Sequence, residues 1–297
     1  MLLLNLYSYF KKRVSAEQIS IKFIFYDVNN ILFIYYLQIL IVSLELKPIL
    51  KTNMKKLLIL FVMAFAINVA AQESALLRLN YKNGDSYIMN TKVSQDMGTM
   101  MSMDMSMLMK QDITNVVGDT YVSTMKITQM TMDMSQGGNN MSYDSSKSDE
   151  ELDAGGKMMK SQMGPMLQVV ITVKGNTLGE ISETIVEPNI PGAEDLAKQS
   201  SNVVYPENAV RVGDTWKMTK SAQGMDMNFV YKVKSITKKV VLLDVSGSVG
   251  GIGEGTIVGD VKVDRDSGMP LHSTVNINMT LQGQVMITKM TATLTKQ

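Results

Sequence analysis

The stretch Met97-Gly98-Thr99-Met100-Met101-Ser102-Met103-Asp104-Met105-Ser106-Met107-Leu108-Met109 decides how the chain is read. From Met101 to Met109 every second residue is a methionine, and Ser102, Asp104, Ser106 and Leu108 fill the gaps. A helix would scatter these five thioethers around its circumference. An extended strand, whose side chains alternate with a period of two, puts all of them on one face. The pattern returns at Met130, Met132 and Met134, and again at Met225, Met227 and Phe229, followed by Tyr231 and Val233. Several strands are therefore expected to share one soft, methionine-lined interior.

Outward from this stretch the chain continues to read as strands and turns. Leu76–Tyr81 alternates and ends at Asn83-Gly84, a strong hairpin signal that predicts pairing with a strand from Ser86 to about Ser94. The methionine strand runs from Met100 to Val117, turns at Gly118-Asp119 and meets a partner strand from Tyr121 to Met134. Residues 135–156 are Gly-, Ser- and acid-rich and read as a polar, mobile loop. Lys157–Gln162 reads as a helical turn or two, stopped by Gly164-Pro165. Strands follow at Leu167–Lys174 and Leu178–Val186, joined at Gly175-Asn176, before Pro188 and Pro191 break the pattern. After a short helix over Ala193–Gln199, six more strands are expected: Trp216–Ser221, Met225–Ile236, Val240–Val249, Gly255–Val263, Leu271–Leu281 and Val285–Leu294. The fold class is thus all-β: a strongly curved antiparallel sheet or incomplete β-barrel of about a dozen strands, with one or two short helices.

The N-terminal quarter reads differently. Met54-Lys55-Lys56, the apolar run Leu57–Ile67 and Val69-Ala70-Ala71 have the order of a signal peptide, with small residues at the −3 and −1 positions of a cut after Ala71. A signal peptide belongs at a chain start. Residues 1–53 are therefore read as translated sequence upstream of the true initiator, with an N-terminal membrane anchor as the rival reading. The expected organisation is 1–53 extension, 54–71 signal peptide and 72–297 a single β domain, located in the periplasm or secreted. Within it, Gly84-Asp85-Ser86-Tyr87 and Gly213-Asp214-Thr215-Trp216 suggest two repeats, 72–186 and 205–297, joined by a Pro-containing helical linker. The alternative is that Gly-Asp before an aromatic residue is a common turn-to-strand junction.

Composition narrows the function. The segment after Ala71 keeps 21 Lys+Arg against 25 Asp+Glu, a net charge of −4, which argues against nucleic acid as a partner. It has no cysteine, hence no disulfide, thiolate chemistry or lipidated N-terminal cysteine. Its eight aromatic residues are too few for the two girdles of a membrane barrel, and no transmembrane span is expected in the mature chain. His272 is the single histidine, at a strand start beside a turn, and reads as structural. Gly250-Gly251-Ile252-Gly253-Glu254-Gly255 lies between two alternating strands, with no helix N-terminus to present amides to a phosphate, and reads as a wide hairpin loop or a bulge. Neither Gly-x-Ser-x-Gly nor His-Glu-x-x-His occurs, so no catalytic residue, cofactor or metal site is assigned and no enzyme activity is expected.

What remains are the methionine faces. Met101, Met103, Met105, Met107, Met109, Met130, Met132, Met134, Met225, Met227 and Phe229 are the candidate ligand-binding residues, lining a pocket for a lipid or another apolar small molecule. Two readings stand beside this one. Thioethers at Met-x-Met spacing suit Cu(I) or Ag(I), and methionine also serves as adaptable core filler in a structural or interaction module. No protein partner is legible.

The signal peptide, Asn83-Gly84-Asp85-Ser86-Tyr87, Val212-Gly213-Asp214-Thr215-Trp216 and Asp264-Arg265-Asp266-Ser267-Gly268-Met269-Pro270 together resemble an uncharacterised family of exported Gram-negative proteins, a domain of unknown function. More loosely, the layout resembles the lipoprotein-carrier half-barrels. That resemblance implies a general shape, an antiparallel sheet wrapped around an apolar cavity.

Overall fold

The computed structural model describes residues 73–190, 193, 203–222 and 224–297. All of them lie in one compact unit, residues 71–297. The expectations for residues 1–72, and for a helix over Ala193–Gln199 beyond Ala193, fall outside the described residues.

The fold is all-β, and its strands bear out the alternation read from the sequence. The described residues form fourteen strands: Ser74–Ala75 (β1), Ser86–Asp96 (β2), Met101–Val117 (β3), Thr120–Gln136 (β4), Asn139–Asp144 (β5), Val170–Asn176 (β6), Ile181–Glu187 (β7), Val210–Arg211 (β8), Thr215–Ala222 (β9), Met225–Ile236 (β10), Val240–Gly251 (β11), Gly253–Asp264 (β12), Pro270–Leu281 (β13) and Gln284–Lys296 (β14). Twelve form one antiparallel sheet in the order β7-β6-β4-β3-β2-β14-β13-β12-β11-β10-β9, with β5 paired to the end of β4. The sheet is curved and not closed into a barrel. β2 pairs with β14, the last strand, so two meanders of six strands meet there, one running β2 to β7 and the other β9 to β14.

Curvature needs room on the inner face. Gly259 supplies some of it: a Cβ there would stand 2.1 Å from the Thr274 carbonyl oxygen on β13. Its neighbours in the inward alternation, Ile257 and Val261, are buried. Register adjustments supply the rest. Thr128 is an extra residue between the pairs Leu108–Gln129 and Met109–Ile127, and Thr114 is another between Ile113–Ser123 and Asn115–Val122. Each bulged threonine donates its hydroxyl to a carbonyl across the strand pair, Thr128 to Leu108 and Thr114 to Val122, both at 3.1 Å. Bulges bend a strand and re-aim its side chains. The one at Thr128 lets Tyr121, Met125 and Ile127, at odd positions, share an inner face with Met130 and Met132, at even positions.

One end of the sheet is closed by a floor, and here an expectation is corrected. Asn83-Gly84 does turn, with Gly84 at φ +82°. Yet Leu76–Tyr81 is not a strand paired to β2. It runs extended across the strand ends, donating Leu79 N to Thr177 O (2.8 Å) beyond β6 and Asn80 N to Ser267 O (2.9 Å) beyond β12. Alternation at Leu77, Leu79 and Tyr81 reports real burial on one side, but the partners are turns from both halves. Tyr81 packs edge-on against Tyr121 (4.6 Å) and Tyr87 (5.7 Å). Buried Tyr205 donates its hydroxyl to Gly268 O at 2.8 Å. Arg78 adds bonds to Pro206 O (2.9 Å) and Glu207 O (2.5 Å).

Three smaller expectations also change. Residues 135–156 are not a loop throughout, because Gly137 and Gly138, at φ +56° and +84°, turn β4 back into β5. Leu167 and Gln168 belong to a 3-10 turn, Gly164–Gln168, rather than a strand. β6 continues through Asn176, which moves its turn to Thr177-Leu178.

Since the Cβ of a larger residue at position 259 would meet backbone, Gly259→Val is expected to destabilise the protein by about 1–3 kcal/mol through overpacking. Urea denaturation checks this; an unchanged midpoint would show that the sheet does not need the close approach.

Candidate functional site

Strand register assembles the methionines into rows across the inner face. Met103 pairs with Gln95, Met134 and, through it, Met141. Met105 lies between Val93 and Met132, with Tyr143 beyond. Met107 lies between Thr91 and Met130, and Met109 between Met89 and Ile127. Directly opposed residues in an antiparallel pair have Cβ atoms about 5 Å apart, within easy reach of a thioether side chain.

A helix, Ala154–Met163 (α1), covers one part of this face. Asp153 caps it, its carboxylate accepting from Gly156 N at 2.7 Å, a cap typically worth about 1 kcal/mol. Gly156 lets the helix press on β5, since a Cβ there would lie 2.8 Å from Ser142 O. Met159 is then buried with Met130, Met132, Tyr143 and Leu152 in a closed core, against which Met163, Met166 and Leu167 also pack.

Beside the covered part lies a cavity of about 260 Å³. Met89, Met105, Met107, Met109, Met125 and Met290 line it, together with Val, Ile, Ala, Pro and Leu side chains. Ile181 of β7 and Lys220 of β9 both reach it, which places the two edge strands of the sheet at one hollow. Its polar groups are few. Gln111 donates to the fully buried Ser123 hydroxyl at 3.1 Å, and Thr91, Ser273 and Thr293 add hydroxyls. Lys220 is the one charged side chain lining it among the described residues. It is half-buried on the face shared with Trp216 and Met218, and loss of water pushes its ammonium pKa down to about 8.

The candidate residues therefore separate. Met105, Met107 and Met109 line the cavity, and Met107 and Met109 are at the same time buried in the cluster that holds Met130 and Met132. Met130 and Met132 are buried in the helix-covered core, against which Met103 packs. Met134 lies half-buried between Met103 and Met141, and Met101 opposite Gln136 near the other end of the sheet from the floor. Met225, Met227 and Phe229 join a different cluster, with Tyr231 and Trp216 stacked 5.4 Å apart. Trp216 is held by its indole N–H donating to Val204 O at 2.9 Å. Sequence reasoning missed Met89, Met125, Met290, Gln111, Ser123 and Lys220. Lys220 had a signal: in Thr215-Trp216-Lys217-Met218-Thr219-Lys220 it shares the phase of Trp216 and Met218. Among the described residues no group of three His, Cys, Asp or Glu could hold a metal ion, and no helix is long and apolar enough to cross a membrane.

This division predicts unequal mutational costs. Met130→Ala, emptying space in the closed core, is expected to cost about 2–5 kcal/mol, whereas Met105→Leu at the cavity wall should cost under about 1.5 kcal/mol. Urea unfolding of both variants checks this; equal costs would contradict the separation into covered core and open wall.

Comparisons with other proteins add the following. No curated protein matches the chain. Among solved structures it is similar to lipovitellin, in a structure described by the words "lipid-protein interactions in lipovitellin", at 10% sequence identity and a TM-score of 0.44. That match covers 73% of this chain and 25% of the other, so the chain spans about a quarter of that protein's length. Residues 195–293, which hold β8 to β13 and most of β14, match the model of a family of unknown function, DUF6263.

Proposed function

We propose that the protein is an exported, non-catalytic binder of an apolar, lipid-like ligand held in the methionine-lined cavity. The carrying observation is that the helix covers only part of the methionine face and leaves beside it a cavity of about 260 Å³ with six methionines in its wall. Ligand pockets in proteins are mostly apolar, with a few polar groups for orientation, and begin at roughly 300 Å³. Methionine suits such a wall because its unbranched thioether adapts to irregular shapes. Among the described residues lining the cavity there is no histidine or carboxylate that would serve as a general base. Export is supported by the signal-peptide pattern ending at Ala71.

A second reading, Cu(I) or Ag(I) binding, is favoured by the row Met103–Met134–Met141, three cross-strand thioethers that are half-buried rather than sealed under the helix. Soft thioether ligands select these ions.

Titration with the fluorescent apolar probe N-phenyl-1-naphthylamine distinguishes the readings. Saturable uptake, displaced by 1-dodecanol and weakened about tenfold (1.4 kcal/mol) by the cavity-filling change Ala292→Phe, is expected. A folded protein that takes up no probe would overturn the lipid-like reading. Stoichiometric Cu(I) capture in competition with an indicator, lost in Met103→Leu, would then support the second.

A further inference from the structure

The two ends of the sheet carry different chemistry in their turns. At the floor end, the connections after β3, β6, β8, β10 and β12 all hold charge, at Asp119, Glu180, Asp214, Lys238 and Arg265. At the opposite end, the described residues that link β2 to β3 (97–100), β4 to β5 (Gly137 and Gly138), β9 to β10 (Gly224), β11 to β12 (Ile252) and β13 to β14 (Gln282 and Gly283) include no charged side chain. Within two positions of these links the charged residues are Asp96, Asp226 and Glu254, with no Lys or Arg. Large apolar side chains stand in water on the same uncharged tips. Met100 is 50% exposed, Ile252 60% and Val285, two residues past Gly283, 55%. Backbone bonds hold the tips in place: Gly137 N donates to Met100 O at 3.3 Å, and Ile252 N donates to Gly224 O at 3.1 Å. Val117 and Val212 are exposed at the floor end too, but Asp119 and Asp214 stand two residues from them.

We propose that this rim docks on a zwitterionic lipid surface, with Met100, Ile252 and Val285 entering the head-group layer. Exposed apolar groups on fixed, uncharged turns mark a surface that meets another phase or partner. Three separate, half-exposed side chains fall far short of the roughly 800 Å² per partner that a stable protein interface buries. A fluid lipid layer closes around each of them separately, and each gains in proportion to the apolar area it removes from water. Anionic lipid attracts neighbouring Lys and Arg; this rim offers it only carboxylates, which selects the zwitterionic surface. Docking goes beyond the cavity reading and stands on other residues, since none of the three side chains lines the cavity. The two sites meet on β3, whose methionines run from Met100 and Met101 at the rim through Met103 to Met105 at the cavity wall, a path for an apolar ligand between lipid and cavity.

Sedimentation with sucrose-loaded phosphatidylcholine vesicles tests this on the native chain and on single variants. Met100→Ser and Ile252→Ser are each expected to weaken vesicle binding about tenfold (1.4 kcal/mol), while Val117→Ser at the floor end leaves it unchanged. Glu254→Gln should tighten binding to vesicles that also contain phosphatidylglycerol. All four positions are exposed, so urea midpoints are expected to stay in place and to separate lost docking from lost folding. Rim variants that bind as the native chain does, or an equal loss in Val117→Ser, would overturn docking through the rim. Binding to the anionic vesicles that Glu254→Gln does not move would overturn the choice of zwitterionic lipid. A dimer that forms without lipid and is lost in Ile252→Ser would overturn the lipid assignment in favour of a second copy of the chain. Uptake of the naphthylamine probe without vesicles reports the cavity alone, so either reading can fail without the other.

Discussion

The bend of the sheet depends on the backbone bonds that tie turns from its two halves to one short segment. Leu79 N reaches Thr177 O beyond β6, while Asn80 N reaches Ser267 O beyond β12. In the order of strands these sites lie far apart, so one six-residue stretch can join them only if the sheet curls. Leu77, Leu79, Tyr81 and Tyr205 fill the space beneath with buried side chains, each large aliphatic one worth about 1.5–3 kcal/mol in lost water contact. Gly268 shows how tight the junction is: at φ +67°, a Cβ there would lie 2.0 Å from Arg78 O. Further tethers run from Arg265 to Glu73, Ser74 O and Thr237 O, so the N-terminal residues are held to the second half on both sides of that turn.

Once curled, the sheet has an inner face larger than one short helix can cover, and the methionines divide accordingly. Under α1 they are core: Met130 and Met159 are 1% and 3% exposed and pack as any large apolar side chain would. On the neighbouring strand β3, Met105, Met107 and Met109 also line the cavity, although Met107 and Met109 are buried in the same cluster. Uncovered flexible apolar side chains cost little when they have no fixed partner and adapt when one arrives. Lys220, on the edge strand β9, lines the same space.

Much of this was legible in the sequence. Period-two alternation gave nearly every strand of the second half, because strict alternation survives wherever one face is buried and register is strongly specified. Met225–Ile236 agrees at both ends. Less visible were features that depend on distant partners. Leu77, Leu79 and Tyr81 announced burial, but their partners are turns about 100 and 190 residues away, which no local signal names. The bulge at Thr128 hid in a change of phase between Ile127 and Met130. The helix α1 contains two glycines and has little apolar periodicity of its own, so its hold on the sheet comes from Met159 and from Gly156 pressed against β5. Which methionines line a cavity and which fill a core was not legible at all, because that depends on where this helix lands.

The measurement that tests the central claim most directly is a methyl spectrum of protein labelled with 13C at the methionine Cε, recorded with and without 1-dodecanol. The account predicts that the methyls of Met89, Met105, Met107 and Met109 shift on addition while those of Met130, Met132 and Met159 stay in place. Shifts spread evenly over both groups, or confined to the helix-covered methionines, would contradict it.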